Sequence, residues 1–380
     1  MNIVIAILLC FALLGAADKI LGGKLGVAQE FDRGLAAMGP LCVSMAGIYC
    51  VAVYALSGES KDIAALTRGL PFDPSLLLSM LLATDMGGWA AAKELAATPE
   101  LAVYSGLLVA STMGCLISFT LPVSLGGLAR HEVMGFMQGV VWGIVALPAG
   151  LLLGAVVCGL SAAQTLWNVL PVLVLCVLVI AALKFAPRGC IVFLTIFGQT
   201  VRVVGILLFC VMTAGLFLPA FAIVPQDIVL EALLVVLKIT AVVCGATVAS
   251  ALLMAKAGRF LERFSRMLGV NEYAVLGLLA NLVSNVSMLP LYSRMDVRGK
   301  VMNAAFCVSG AFIIGGQLAF VSGVAPDAVG SFFACKLVGG ILAAALAPAD
   351  QAVAAVGAQQ HLRAAQLAVV VVPHGRAVGP

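Results

Sequence analysis

The sequence predicts an all-α polytopic integral membrane protein, with about 9–11 transmembrane segments and two re-entrant or broken helices in an inverted repeat. Three observations carry this expectation. The 380 residues are 63% hydrophobic and 10% charged, with mean hydropathy +1.17, whereas soluble domains carry about 25% charged residues. Apolar stretches of about 20 residues, long enough to cross a hydrocarbon core of about 30 Å, recur along the whole length. One of them, Leu81-Leu82-Ala83-Thr84-Asp85-Met86-Gly87-Gly88-Trp89, sets a carboxylate inside an apolar run and follows it with two glycines that loosen a helix.

Met1 to Ala17 has the short apolar centre of a secretory signal but lacks a positively charged n-region, so it reads as the first span. Further apolar segments fall near 34–57, 74–92, 100–122, 134–159, 165–185, 190–218, 227–255, 271–292, 300–323 and 327–348. They make one integral domain over 1–348. The tail, 349–380, holds only the short apolar run Leu367 to Val372, which cannot span, and is expected to be flexible.

Loop charge tests whether every segment crosses. Lys256, Arg259, Arg263 and Arg266 precede the 271–292 segment, and Arg294, Arg298 and Lys300 follow it. Two consecutive basic loops break strict alternation under the positive-inside rule. They obey it if 271–292 enters from the cytoplasm and turns back. That segment has the residues for a turn at depth: Asn281, Ser284, Asn285 and Ser287 interrupt the apolar pattern and Pro290 follows. The same bookkeeping makes the Asp85 segment re-entrant from the opposite face, with Gly87 and Gly88 as its helix break.

The two regions also rhyme. Leu81-Leu82-Ala83-Thr84 is echoed by Leu278-Leu279-Ala280-Asn281, and Tyr104-Ser105-Gly106 by Val308-Ser309-Gly310, which places repeat halves at about 31–159 and 224–348. Inverted repeats whose broken helices meet at the midplane are a recurrent plan of secondary transporters. Chance similarity between two Leu/Ala-rich helices is the plainer alternative.

Several chemistries find no support. The net charge of +4 sits in a few loops and forms no basic stripe, so nucleic-acid binding is not indicated. The 11 cysteines, among them Cys42, Cys50, Cys158, Cys176 and Cys244, form no Cys-x-x-Cys pair and read as small buried hydrophobes. His131-Glu132 lacks the second histidine of a zinc-protease helix, and no phosphate-binding loop occurs, so neither a metal nor another cofactor is expected. An intramembrane enzyme would need a second catalytic group near Asp85. A non-transporting receptor would be expected to carry an extramembrane domain. Neither is visible.

The chain resembles the ethanolamine-utilisation permease family, EutH, from about Phe31 to Leu346. The resemblance rests on Ala37-Met38-Gly39, the Leu81 to Gly88 run, Ala92-Lys93-Glu94-Leu95-Ala96 and Tyr104-Ser105-Gly106-Leu107. Further on it includes Asp296-Val297-Arg298-Gly299-Lys300-Val301, Asn303, Phe306, Val308-Ser309 and Lys336-Leu337-Val338-Gly339-Gly340. It implies a multi-pass bacterial inner-membrane importer of ethanolamine or a closely related small amine for catabolism, surrounded by lipid, with room for a homo-oligomer. Other small amino alcohols or amino acids are alternative substrates. Where the family pattern has Asp-His after the glycine of the tenth span, this chain has Gly316-Gln317, and Ser287 stands where a proline is expected.

An ionised carboxylate at the membrane centre costs about 2.5–3.5 kcal/mol on insertion scales, so Asp85 should face a cavity or a partner. A protonated amino alcohol asks for a carboxylate or an aromatic face, and for neutral polar groups at its hydroxyl. Asp85 and Trp89 suit the ammonium, and Asn281, Ser284 and Asn285 suit the hydroxyl. Gln317 either lines the same cavity or bonds one helix to another. The structural alternative for Asp85 is an ion pair with a deep cation, Lys336, Lys238 or Arg202. Lys93-Glu94 reads as an interfacial pair, and Gly150 with Gly154 as a close-packing face.

Overall fold

The structure, a computed structural model, describes residues 3–36, 38–47, 50, 69–129, 131–218, 222–256 and 258–347. For some residues within helices, Arg202 among them, it describes the backbone alone. The expected segment 34–57 lies partly outside the described residues, and the tail 349–380 wholly so.

The described residues form helices and turns throughout. Ile3–Ile20 (α1) and Ala28–Ala36 (α2) lead into a first broken segment, Ser75–Ser79 (α3) and Gly88–Leu95 (α4). Pro99–Leu125 (α5), Val133–Val157 (α6), Ala162–Phe185 (α7), Pro187–Phe217 (α8) and Gln226–Lys256 (α9) follow as long apolar helices. An amphipathic helix, Gly258–Leu268 (α10), precedes a second broken segment, Glu272–Val283 (α11) and Asn285–Tyr292 (α12). Val297–Ser309 (α13), Gly316–Val324 (α14) and Val329–Leu346 (α15) complete the fold. Among the described residues, five helices are long and apolar enough to cross a membrane: those in α5, α6, α7, α9 and α15. With its apolar surfaces turned outward on α7 and α8, where Leu166, Val177 and Phe193 are all more than half exposed, this is a polytopic helical membrane protein.

The α6 helix is the central post. Gly139 and Gly143 let α13 lie directly against it, facing Val301, Ala304, Ala305 and Val308, and Gly150 and Gly154 do the same for α15 at Cys335 and Gly339. A Cβ at Gly150 or Gly154 would press into those neighbours, so the small-residue face is close packing, as the spacing suggests. The α5 helix crosses the same centre and is the most deeply enclosed span. Residues Tyr104–Gly114 and Leu116–Thr120 wind it in π-helical turns, a geometry that gathers at functional sites. On the far side, α1 and α2 pack on α9, where Thr247 Oγ1 donates to the Glu30 carbonyl at 2.8 Å.

Both broken segments close on themselves. The Asp73 carboxylate accepts the Ala97 N–H at 2.9 Å and also bonds the Ser75 N–H and hydroxyl, so the two ends of the 75–95 segment meet. Asn168 Oδ1 on α7 accepts the Asp73 N–H at 2.8 Å and anchors this mouth beside the C-terminal end of α6. In the second segment, Asn271 caps α11 through the Ala274 N–H and donates its amide to the Arg294 carbonyl at 2.8 Å. That mouth adjoins the N-terminal end of α6, where Lys300 pairs with Glu132 at 2.9 Å. The segments are therefore hairpins that open at opposite ends of one helix.

Cysteines placed at Met267 and Ser293 in a cysteine-free background are expected to react with an impermeant thiol reagent from one face. Those placed at Leu70 and Ala97 should react from the other. Labelling of Met267 and Ser293 from different faces would show that 272–292 crosses the membrane.

Candidate functional site at the meeting of the broken helices

The first hairpin turns at Thr84–Met86, a single 3₁₀ turn ending at Gly87, whose φ of 103° is a left-handed conformation that L side chains disfavour. Gly88 then starts α4, and its α-carbon lies so close to Ala110 and the Leu82 and Ala83 carbonyls that a Cβ would meet them at 2.8–2.9 Å. The two glycines thus have different duties, one turning the chain and one docking it on α5. Gly87→Ala should cost about 1–2 kcal/mol from the left-handed backbone alone, read as a lowered melting temperature of the purified protein.

Asp85 sits in this turn, partly accessible, while Thr84 and Met86 beside it are buried. Among the described residues no cation lies within salt-bridge distance of its carboxylate; the cation whose charge reaches it is Lys336. Lys336 is 1% exposed, on α15. Its ammonium donates to Gln317 Oε1 at 2.6 Å and to the Ser111 carbonyl at 2.9 Å, and lies 5.3 Å from the Phe332 ring centroid. Gln317 is therefore a helix-to-helix bond, joining α14 to α15. Lys238 is exposed on α9, its stem against Gly323. The Arg202 side chain lies outside the described set.

The second hairpin breaks at Ser284, where the backbone becomes extended (φ −163°, ψ 136°). Ser284 Oγ accepts the Val286 N–H at 3.2 Å and so caps α12. Asn281 donates its amide to both the carbonyl and Oδ1 of Asn303 at 3.3 Å, and Asn303 donates in turn to the Ala274 and Gly299 carbonyls. Asn285 is fully buried and, among the described residues, neither of its amide atoms has a partner, nor have Asn281 Oδ1, Thr84 Oγ1 or Ser309 Oγ. Buried polar groups at such breaks ordinarily meet ordered water or a ligand.

A third break adds to the two that the sequence predicts. The 300–323 segment comes apart between Gly310 and Gly315, giving α13 and α14. The freed amides of Phe312 and Ile314 donate to the Asn281 and Leu282 carbonyls at 3.0 and 2.9 Å, which joins this break to the tip of the second hairpin. Gly315 admits the Val283 carbonyl where a Cβ would stand. Phe312 carries a φ of 63°, a strained conformation for a phenylalanine. Its ring lies edge-on to Phe119, 5.9 Å between centroids, and both rings pack on Ala83, Met86 and Cys115 of the first hairpin region. The glycines at 310, 315 and 316 were the available sign of this break; the roles of Phe312, Ser111 and Asn303 had none, since only packing reveals them.

Trp89 is 8% exposed on α4, against Gly106 of α5. It faces a cavity of about 480 Å³ between α4, the start of α5 and the Pro326–Ala328 turn. Lys93, at the rim of this cavity, pairs with Glu231 on α9 at 3.9 Å, so the interfacial pair runs between helices and not to the neighbouring Glu94.

Helices broken at three places and packed on one another, in a protein whose outer surface is apolar, define a polytopic helical membrane protein with buried polar side chains at its breaks. The family follows from direct comparison. The family model described as "Ethanolamine utilisation protein, EutH" matches residues 1–349, and the chain belongs to that family. It is 35% identical to the "Probable ethanolamine permease EutH" of Listeria monocytogenes, over 91% of this chain and 92% of that one. It is 33% identical to the protein of the same name from Salmonella typhimurium, over 91% and 94% of the two chains. Against the "Uncharacterized protein YxeR" of Bacillus subtilis the identity is 32%, over 90% and 93%. No solved structure matches the chain.

Proposed function

We propose that this protein is a carrier or facilitator that imports ethanolamine, or a closely related small amine, across the bacterial inner membrane for catabolism, and that it is not an enzyme. The observation that carries the reading is Asp85: a carboxylate on the turn of a hairpin packed among apolar helices, without a salt-bridge partner among the described residues. An ammonium substrate would supply a cation in direct contact, which Lys336 does not. The unpartnered amides of Asn285 and Asn281 Oδ1 supply acceptors and donors of the kind a hydroxyl requires. The names of the relatives in Listeria and Salmonella, probable ethanolamine permeases, support the same substrate class.

Gln317 and Lys336 bear on the finer choice of substrate. They bond each other, so among the described residues the centre contributes one fixed cation, Lys336, and one candidate anion, Asp85. No separate energy source is required for a cationic solute. A monovalent cation moving inward gains about 2.3 kcal/mol per 100 mV of inside-negative potential, enough for about fiftyfold accumulation by uniport.

Proteoliposome uptake of labelled ethanolamine, choline, small amino alcohols and amino acids, with and without an imposed potential, tests the proposal. Potential-driven uptake of ethanolamine above the other solutes is expected. Uptake of none of them, or of amino acids alone, would overturn it.

A further inference from the structure

The cavity in front of Trp89 belongs to neither broken-helix tip. It lies at the mouth of the first hairpin, lined by Lys93 and Thr98, with Trp89 as the aromatic residue of its wall. Its volume, about 480 Å³, is within the range of small-molecule sites, roughly 300–1,000 Å³. Alanine, valine and proline make the remaining walls apolar, and one carboxylate, Asp327, lines it from the turn between α14 and α15. The one cationic group in the lining, Lys93, is drawn toward Glu231. With that pair set against each other, the excess charge of the mouth is negative.

An indole ring and a carboxylate lining one partly open, largely apolar cleft constitute the recognition chemistry of an organic ammonium, which gains about 0.5–1 kcal/mol from an aromatic ring at an exposed site. Asp85 is four residues before Trp89, across the Gly87 turn. Asp327 lines the cleft from an exposed turn, and Trp89, on the opposite wall, lies in the first turn of the helix that follows Asp85 in the chain.

Resting on the carrier reading above, we propose that this cavity is a second, outer binding site for a small organic ammonium, with Asp327 as counter-charge and Trp89 as aromatic wall. Substrate occupies it before passing to Asp85. Lys93 opposes that occupancy and sets its affinity.

Trp89 supplies the readout. The chain has three tryptophans, and Trp142→Phe with Trp167→Phe leaves Trp89 as the sole emitter in the full-length protein. Titration with ethanolamine is expected to change Trp89 emission saturably. The midpoint should rise about tenfold in Asp327→Asn, fall severalfold in Lys93→Gln, and persist in Asp85→Asn. In uptake assays Asp327→Asn should raise the half-saturating concentration and leave the maximal rate near that of the parent. A titration insensitive to Asp327→Asn and Lys93→Gln, one abolished by Asp85→Asn, or no saturable change at all would overturn the proposal. Uptake with an Asp327-independent titration would sink the outer site alone; an Asp327-dependent titration without uptake would sink the carrier reading alone.

Discussion

Asp85→Asn is expected to abolish or sharply reduce ethanolamine uptake while leaving a folded, inserted protein. The two outcomes separate because the carboxylate acts oppositely on them. Its charge at depth opposes insertion by about 2.5–3.5 kcal/mol, so the neutral amide relieves a cost. Toward a bound ammonium, loss of a charge-assisted hydrogen bond worth about 1.5–3 kcal/mol corresponds to a half-saturating concentration raised about ten- to 150-fold. Initial-rate uptake in proteoliposomes, paired with gel filtration and thermal melting of the same preparation, checks both. Normal uptake in the variant would remove Asp85 from the substrate site.

The second large effect concerns Lys336. Its ammonium is held by Gln317 Oε1, the Ser111 carbonyl and the Phe332 ring, with no carboxylate in contact among the described residues. Gln317→Met would withdraw the shorter of those two hydrogen bonds and leave a buried charge under-satisfied, at a loss of about 1.5–3 kcal/mol. Lys336→Met removes the charge together with its desolvation cost, so adding it to Gln317→Met should recover much of the lost stability, a clear departure from additivity. Thermal melting of the two single variants and the double variant measures this. Lys336→Met should also lower the half-saturating ethanolamine concentration severalfold, because one fixed cation no longer repels the substrate near Asp85. Equal stability of Gln317→Met and the parent would show that the Lys336 bond is dispensable.

Loop charge and polar interruptions within apolar segments made the two hairpins legible without coordinates. Basic residues on both sides of 271–292 obey the positive-inside rule if that segment returns to its own face, and the structure breaks it at Ser284 and joins its ends through Asn271 and the Arg294 carbonyl. Likewise the Asp85-Met86-Gly87-Gly88 run announced a break, because a carboxylate and a left-handed glycine both disfavour a continuous apolar helix. The 300–323 segment misled in the other direction. It is apolar enough for a continuous span, and its break at Gly310–Gly315 is held open by backbone bonds to Asn281 and Leu282, residues distant in sequence.

What the sequence determined by itself is the solvent and the punctuation: a bilayer protein, its apolar segments, and the places where polar residues and glycines interrupt them. These follow from local physics, since hydrophobic length and backbone preference act within a few residues of where they are encoded. Which interruptions meet was decided only by the tertiary structure. Lys336 bonded to Gln317, Phe312 against Phe119, and Trp89 facing a cavity with Asp327 instead of standing simply as a neighbour of Asp85 are all products of helix packing around α6. The glycines at 139, 143, 150 and 154 bring those helices close enough to touch, and no periodicity in one segment specifies the partner that another will present.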